Sequence, residues 1–273
     1  MKRITLLATA ILFPSLWLTT PVKAENQAIN LMEASGLPAN NFTSLKAEIL
    51  GKQQSTPRRL RRLRFRLPDI TAAGNREPLA SRGSCSANSK SVTALIPSTN
   101  IGLTVAAHPT FFFDISQTSA RSAEFALFNQ DGKEIYTTTV ELPERSGVVS
   151  FSLPQEDATS VSLEVGERYQ WYFALICNPN DRSQDIDVIG AIERKTPRAA
   201  LANQLRRAAP RDRPAIYAEE GFWFDTIKTL ADLRSANPHD STLTQEWENL
   251  LRSVGLDRIA QNRVRGNLAP KNE

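Results

Sequence analysis

Between Cys85 and Glu193 the chain is divided into short β-type runs, and this pattern constrains the fold more than any other feature. The runs are Ser91–Ile96, Ile101–Val105, Thr110–Ile115, Ala123–Phe128, Glu134–Leu142, Val148–Leu153, Arg168–Cys177 and Ile186–Ile192. They recur at a spacing of roughly 8–12 residues with turn residues between them, which is the signature of an antiparallel sandwich. Asn129-Gln130-Asp131-Gly132 marks a hairpin, because Asp-Gly accepts the positive φ of a tight turn. In the run Tyr169–Cys177, residues Tyr169, Trp171, Phe173, Leu175 and Cys177 share one face, since strand side chains alternate. That is the expected core face, and Cys177 falls on it.

The approach to this strand carries a second signal. Leu163-x-x-Gly166-x-x-Tyr169-x-Trp171 resembles the corner before the penultimate strand of immunoglobulin-like sandwiches, where a tyrosine hydroxyl bonds to upstream backbone. The chain has two cysteines, Cys85 and Cys177. In an oxidising compartment an isolated pair forms a disulfide, and two residues permit one pairing. The alternative, a reactive thiol, lacks a neighbouring His or basic partner to lower its pKa.

After Glu193 the apolar period becomes helical. Thr196-Pro197 reads as a helix start, with Leu201 and Leu205 one turn apart and Pro210 ending the element. More helix is expected over Ala215–Ala236, and again from Ser241 through Leu243, Trp247, Leu250, Leu251 and Val254, with Gly255 as its cap. A last short helix is expected from Leu256 towards Val264, then a loose tail. Ile216, Tyr217, Gly221 and Phe222 recur 34 residues later as Leu250, Leu251, Gly255 and Leu256, a period shared with degenerate helix-pair repeats. The competing reading, an ordinary helical bundle packed on the sandwich, accounts for Thr226 and Leu233 where such repeats want small residues. Phe222, Trp223, Phe224 and Trp247 are either the core of this helical part or partner contacts in a groove that leaves some rings exposed.

The N-terminus concerns address. Lys2 and Arg3, the apolar stretch Ile4 to Leu18 and Val22-Lys23-Ala24 form the three parts of a cleavable signal peptide, with cleavage expected after Ala24. Its apolar run is too short to span a bilayer. A periplasmic or secreted location follows as the expectation. Removing 24 of 273 residues also removes three basic ones, so the formal charge falls from +4 to +1. Nucleic acid is therefore not an expected partner. Charge is local instead, in Arg58, Arg59, Arg61, Arg62, Arg64 and Arg66. This run is either a solvated linker ended by Pro68, or a helix with Leu60, Leu63 and Leu67 on one face, lying on an anionic membrane or envelope polymer.

No catalytic site is legible. His108 and His239 lack metal-ligand spacing to other candidate ligands, and no nucleophile elbow or phosphate loop occurs. Carboxylates offer the one enzymatic route: Glu219, Glu220 and Asp225, or Asp185 with Asp187, as an Asp/Glu pair for glycoside hydrolysis. Solvated surface charge is the competing reading. No cofactor or metal is expected, and no oligomeric state is read.

Several segments together resemble the domain of unknown function 928 family. They are Arg82-Gly83-x-Cys85, Ala94-Leu95-Ile96-Pro97, His108-Pro109-Thr110-Phe111, Glu124-Phe125-x-Leu127 and Tyr169-x-Trp171-x-Phe173 ending at Cys177. Gly221-x-Trp223-x-Asp225 and Trp247-x-x-Leu250-Leu251-x-x-Val254-Gly255-Leu256 fit as well. The resemblance spans roughly residues 82–264 and implies an exported, mainly cyanobacterial protein without an assigned activity or site.

The expected architecture is therefore α+β overall: an all-β, immunoglobulin-like antiparallel sandwich over 82–195, followed by a C-terminal α-helical segment over 196–265. Ahead of them lie the signal peptide at 1–24 and a flexible region with the arginine-rich linker at 25–81; a loose tail at 266–273 follows. The expected function is a non-enzymatic interaction module of the cell envelope that binds protein or glycan. The alternatives are a carbohydrate-active hydrolase and peripheral membrane-surface attachment through Arg58–Leu67.

Overall fold

A computed structural model describes residues 63–78, 85, 91–155 and 160–271. The expected signal peptide and Arg58, Arg59, Arg61 and Arg62 lie outside the described residues.

Two sheets form a sandwich-like core. The first has the order β1 (Val92–Ala94), β3 (Thr110–Ile115), β6 (Gly147–Ser152), β9 (Val264–Asn267). The second has the order β2 (Ile101–Thr104), β8 (Ile186–Arg194), β7 (Arg168–Leu175), β4 (Ser122–Phe128), β5 (Glu134–Glu141). Every run read from the sequence is a strand, because alternation supplies each with one apolar face. In β7 the pattern is strict: Tyr169, Trp171, Phe173 and Leu175 are buried, and the residues between them are only partly so. Their rings meet those of the facing sheet, with Phe113 stacked on Phe173 at 3.9 Å and edge-on to Trp171 at 5.7 Å. Aromatic pairs of this kind add roughly 0.5–1.5 kcal/mol beyond their burial.

The sheets are mixed, which corrects the expected all-antiparallel arrangement. β2 runs parallel to β8, and β9 runs parallel to β6. Neither pair is joined by a hairpin, so nothing imposes antiparallel order on it. The β4–β5 connection does turn at Asn129–Gly132, where the Asn129 side chain accepts from the Asp131 and Lys133 N–H groups. The tyrosine corner is present: the Glu164 N–H donates to the Tyr169 hydroxyl at 2.9 Å.

Four α-helices follow β8: α1 (Ala199–Arg207), α2 (Arg213–Glu219), α3 (Trp223–Ala236) and α4 (Ser241–Ser253). Thr196 is not the cap of α1; Arg198 occupies that position and makes no side-chain cap hydrogen bond. Asp240 does cap α4, accepting from the Thr242 and Leu243 N–H groups. The 34-residue echo in the sequence falls on two helix stops. Gly221 after α2 and Gly255 after α4 have φ of +79° and +74°, a region that favours glycine.

The two longer helices, α3 and α4, do not make a core of their own. Trp223, Phe224, Leu230, Trp247 and Leu250 belong to the same buried cluster as the sandwich aromatics. The face of β3 turned away from the other sheet is covered by α4, where Phe112 meets Trp247 edge-on at 6.2 Å. β3 is consequently buried along its whole length.

Both ends of the described chain depart from expectation. Residues 63–78, expected to be flexible, run against the fold: Asn75 bridges to Ile189, and the Arg76 guanidinium donates to the Val254 and Gly255 carbonyls at 2.6 and 3.0 Å. Arg76 thereby satisfies carbonyls at the end of α4. The segment after α4 is a short 3₁₀ turn, Asp257–Ile259, and then β9, instead of a helix and a loose tail. Leu268 is buried, and the Lys271 N–H donates to the Thr139 carbonyl, so the C-terminal segment ties the two sheets together.

Candidate functional site

The aromatic residues expected as partner contacts are core residues. Phe222, Trp223, Phe224 and Trp247 are all buried, and Trp223 and Trp247 are fully so. The Trp223 indole N–H donates to the Leu95 carbonyl at 2.8 Å, which locks α3 against the sandwich. The exposed-groove reading of these four residues is corrected: the sandwich offers enough apolar surface to bury them all. Arg234 lies over the Trp247 ring at 4.8 Å, and its burial lowers the guanidinium pKa.

Trp223 has one further neighbour, and it comes from the arginine run. Residues 63–67 are not helical, so Leu63 and Leu67 do not share a helical face, and Leu60 lies outside the described residues. Leu63 and Phe65 turn inward, and the Phe65 ring meets Trp223 edge-on at 4.9 Å. Arg64 and Arg66 turn outward, as alternation demands. The Arg66 N–H donates to the Ala218 carbonyl at 2.8 Å, fastening the strap to the end of α2. Neither Arg64 nor Arg66 forms an ion pair among the described residues.

A small second core is made by Leu103, Leu201, Ile216 and Phe222, with Ile70, Leu205 and Tyr217 at its margin, whereas the strap's Leu63 and Phe65 pack on the main core. The α1–α2 hairpin over this core is also rich in arginine, a feature not singled out in the sequence. Arg206 and Arg207 fall in the last turn of α1, and Arg213 opens α2; all three are exposed. Arg198 pairs with Glu220, and Arg211 with Asp240. The signal that could have found this group is the density of arginine between Arg198 and Arg213.

The carboxylates considered for catalysis are spread over the 182–185 turn, β8, the end of α2 and the start of α3. Asp185 accepts from the Arg182 guanidinium and from the Cys177 N–H. Asp187 lies on β8, and Glu219 and Glu220 end α2. Asp225, in the first turn of α3, is almost fully buried and accepts from the Val105 N–H at 3.0 Å. Burial pushes its pKa from 3.8 up to about 6, against the opposing effect of hydrogen bonds from Val105 and Thr104. Asp225 also raises the pKa of Tyr217, adding to the effect of that residue's own burial. The residue thus joins α3 to the end of β2.

His239 is exposed in a turn, and His108 is partly buried with an unpartnered Nδ1. Among the described residues, no group of three His, Cys, Asp or Glu side chains is placed to hold a metal ion. Cys85 and Cys177 are bonded to each other, with their Cα atoms 5.0 Å apart. Among the described residues, no helix is long and apolar enough to cross a membrane.

The model of the Domain of Unknown Function (DUF928) family matches residues 77–264. Comparison with curated proteins found no match. Among solved structures, the apo form of Bacteroides uniformis beta-glucuronidase 3 aligns at 16% identity with a TM-score of 0.22. The alignment covers 37% of this chain and 12% of that enzyme, too little to carry an argument about fold or activity.

Proposed function

The chain belongs to the Domain of Unknown Function (DUF928) family, and from that premise we propose a non-enzymatic interaction module of the cell envelope, which docks through its arginine strap onto an anionic glycan. The protein works in the periplasm or outside the cell, where its cysteine pair is oxidised. Its immunoglobulin-like corner and filled aromatic core make it a rigid support for that surface.

One observation carries the reading: Phe65 is anchored on Trp223 while Arg64 and Arg66, on either side of it, point into solvent. A merely solvated linker has no need of such an anchor. Fixing the backbone lowers the ordering cost of binding, because the two guanidinium groups are already placed. The same anchor favours a polymer over a lipid surface. A segment that lies on a bilayer turns its apolar residues outward, whereas Leu63 and Phe65 turn inward and only Leu67 of the strap's apolar residues is exposed. Arg207 and Arg213 extend the cationic surface along the α1–α2 hairpin.

The test is retention of the purified chain on immobilised polygalacturonate, with neutral dextran and phosphatidylglycerol vesicles as comparators. Retention on polygalacturonate is expected and should fall steeply with salt. The double substitution Arg64→Ser/Arg66→Ser should weaken it roughly threefold or more. Unchanged retention after that substitution overturns the reading, and preferential binding to the vesicles replaces it with membrane attachment.

A further inference from the structure

A separate cleft lies on the outer face of the first sheet, beneath the segment that follows α4. It has a volume of about 250 Å³ and is lined by strand residues on one side and by the 255–262 segment on the other. Thr93 on β1 and Asp114 on β3 are directly opposite in the antiparallel register, so their side chains share a face. Val92, Ala94, Phe113 and Ile115 take the other face, inside the sandwich. The two polar side chains are therefore placed by the same alternation that builds the core.

Both are deeply set. Asp114 is 2% exposed and Thr93 is 5% exposed. Among the described residues, the Asn262 side-chain amide is the one hydrogen-bond donor to the Asp114 carboxylate, at 2.8 Å. The Thr93 hydroxyl makes no hydrogen bond among the described residues, although it lines the cleft. In the cleft wall the Asp114 carboxylate and the Thr93 hydroxyl keep hydrogen-bonding capacity that a bound molecule could use. Burial raises the Asp114 pKa, and the Asn262 bond opposes that rise.

The lining selects the chemistry of the occupant. Asp114 accepts, Thr93 and Ser116 can do either, and Asn262 and Arg258 donate. Glu77, which Arg258 pairs with at 3.4 Å, and Asp257 add negative charge at the rim, so an anion is disfavoured. Leu256 and Ile259 supply an apolar wall. Closely set donors and acceptors beside an apolar wall match a molecule with hydroxyls on its edge and C–H groups on its face.

We propose that the Thr93–Asp114 cleft is a binding site for one neutral sugar unit, with Asp114 and Thr93 bonding adjacent hydroxyls and Asn262 orienting the carboxylate. This site is independent of the arginine strap.

The test is NMR titration of the full chain with methyl glycosides of glucose, galactose, mannose and N-acetylglucosamine, and with methylammonium chloride as a cationic control. Saturable shifts at the Thr93 and Asn262 backbone amides are expected with at least one glycoside at millimolar concentration. Asp114→Asn should weaken that binding by roughly tenfold, and the near-isosteric Thr93→Val by roughly fivefold. Thermal unfolding of each variant checks that the fold is retained. No saturable shift with any glycoside, or binding that both substitutions leave unchanged, overturns the proposal. Binding of methylammonium alone overturns it too, by showing a cation site. Arg64→Ser/Arg66→Ser should leave glycoside binding as it was, so failure of the strap reading is registered separately.

Discussion

Trp171 and Leu201 are both buried, but in cores of different depth. Around Trp171 two sheets press aromatic faces together, and α3 and α4 add further rings. Around Leu201 the core consists of Leu103, Ile216 and Phe222 with partly exposed neighbours, and the helix above it buries only Leu201 itself. The cationic residues of α1 ride on the second, thinner core, whereas the strap is anchored on the first through Leu63 and Phe65. The proposed binding strap thus rests on the stable part of the molecule and the α1 arginines on the thin part, which is expected to open first.

Three measurements can break or sharpen this contrast. The largest effect is expected from Trp171→Ala, which should cost roughly 3–5 kcal/mol in urea unfolding, against about 2 kcal/mol for Leu201→Ala, where the site can collapse. Hydrogen exchange should show Leu201→Ala loosening α1 while the strands stay protected. Equal losses and equal loosening would erase the distinction between the two cores.

The second effect concerns Asp225, which holds α3 to β2 between the two cores. Its folded pKa of about 6 lies above the ordinary 3.8, so its contribution to stability is fully present below about pH 4 and is lost as pH rises through about 6. The full shift corresponds to roughly 3 kcal/mol. Unfolding free energies of the natural chain and Asp225→Asn, measured from pH 4 to 7, should therefore diverge with pH, the natural chain losing ground to the variant. Parallel pH profiles would show that Asp225 is ionised at little cost.

The smallest effect belongs to the corner. Tyr169→Phe removes the acceptor of the Glu164 N–H and should cost about 1 kcal/mol. An unshifted midpoint would mean that packing alone holds the corner, leaving the strand faces as the whole source of rigidity there.

How much of this was legible follows from the range of the forces involved. The β7 face from Tyr169 to Leu175, the turn at Asn129–Gly132 and the glycine stop after α4 depend on residues close in sequence, and each could be read there. β9 could not, because Val264–Asn267 carries no alternating apolar face and all four residues are exposed. Its place beside β6 comes from backbone pairing after the helices have turned the chain back. The four aromatics of α3 and α4 showed that something apolar was nearby, yet not whether it was a partner or the sandwich. Asp114 left a fainter trace: a charged residue directly after three phenylalanines, on the face of Phe112 rather than that of Phe111 and Phe113.

The sequence by itself determined the strand faces, the helix stops and the one possible cysteine pairing, because side-chain alternation, left-handed glycine and a count of two are local facts. Only the tertiary structure decided that the arginine run is anchored at Phe65, that Asp225 is buried and that Thr93 and Asp114 share a cleft. Each of these depends on which distant surface excludes water from the residue. That is a property of packed elements, and no short stretch of chain contains it.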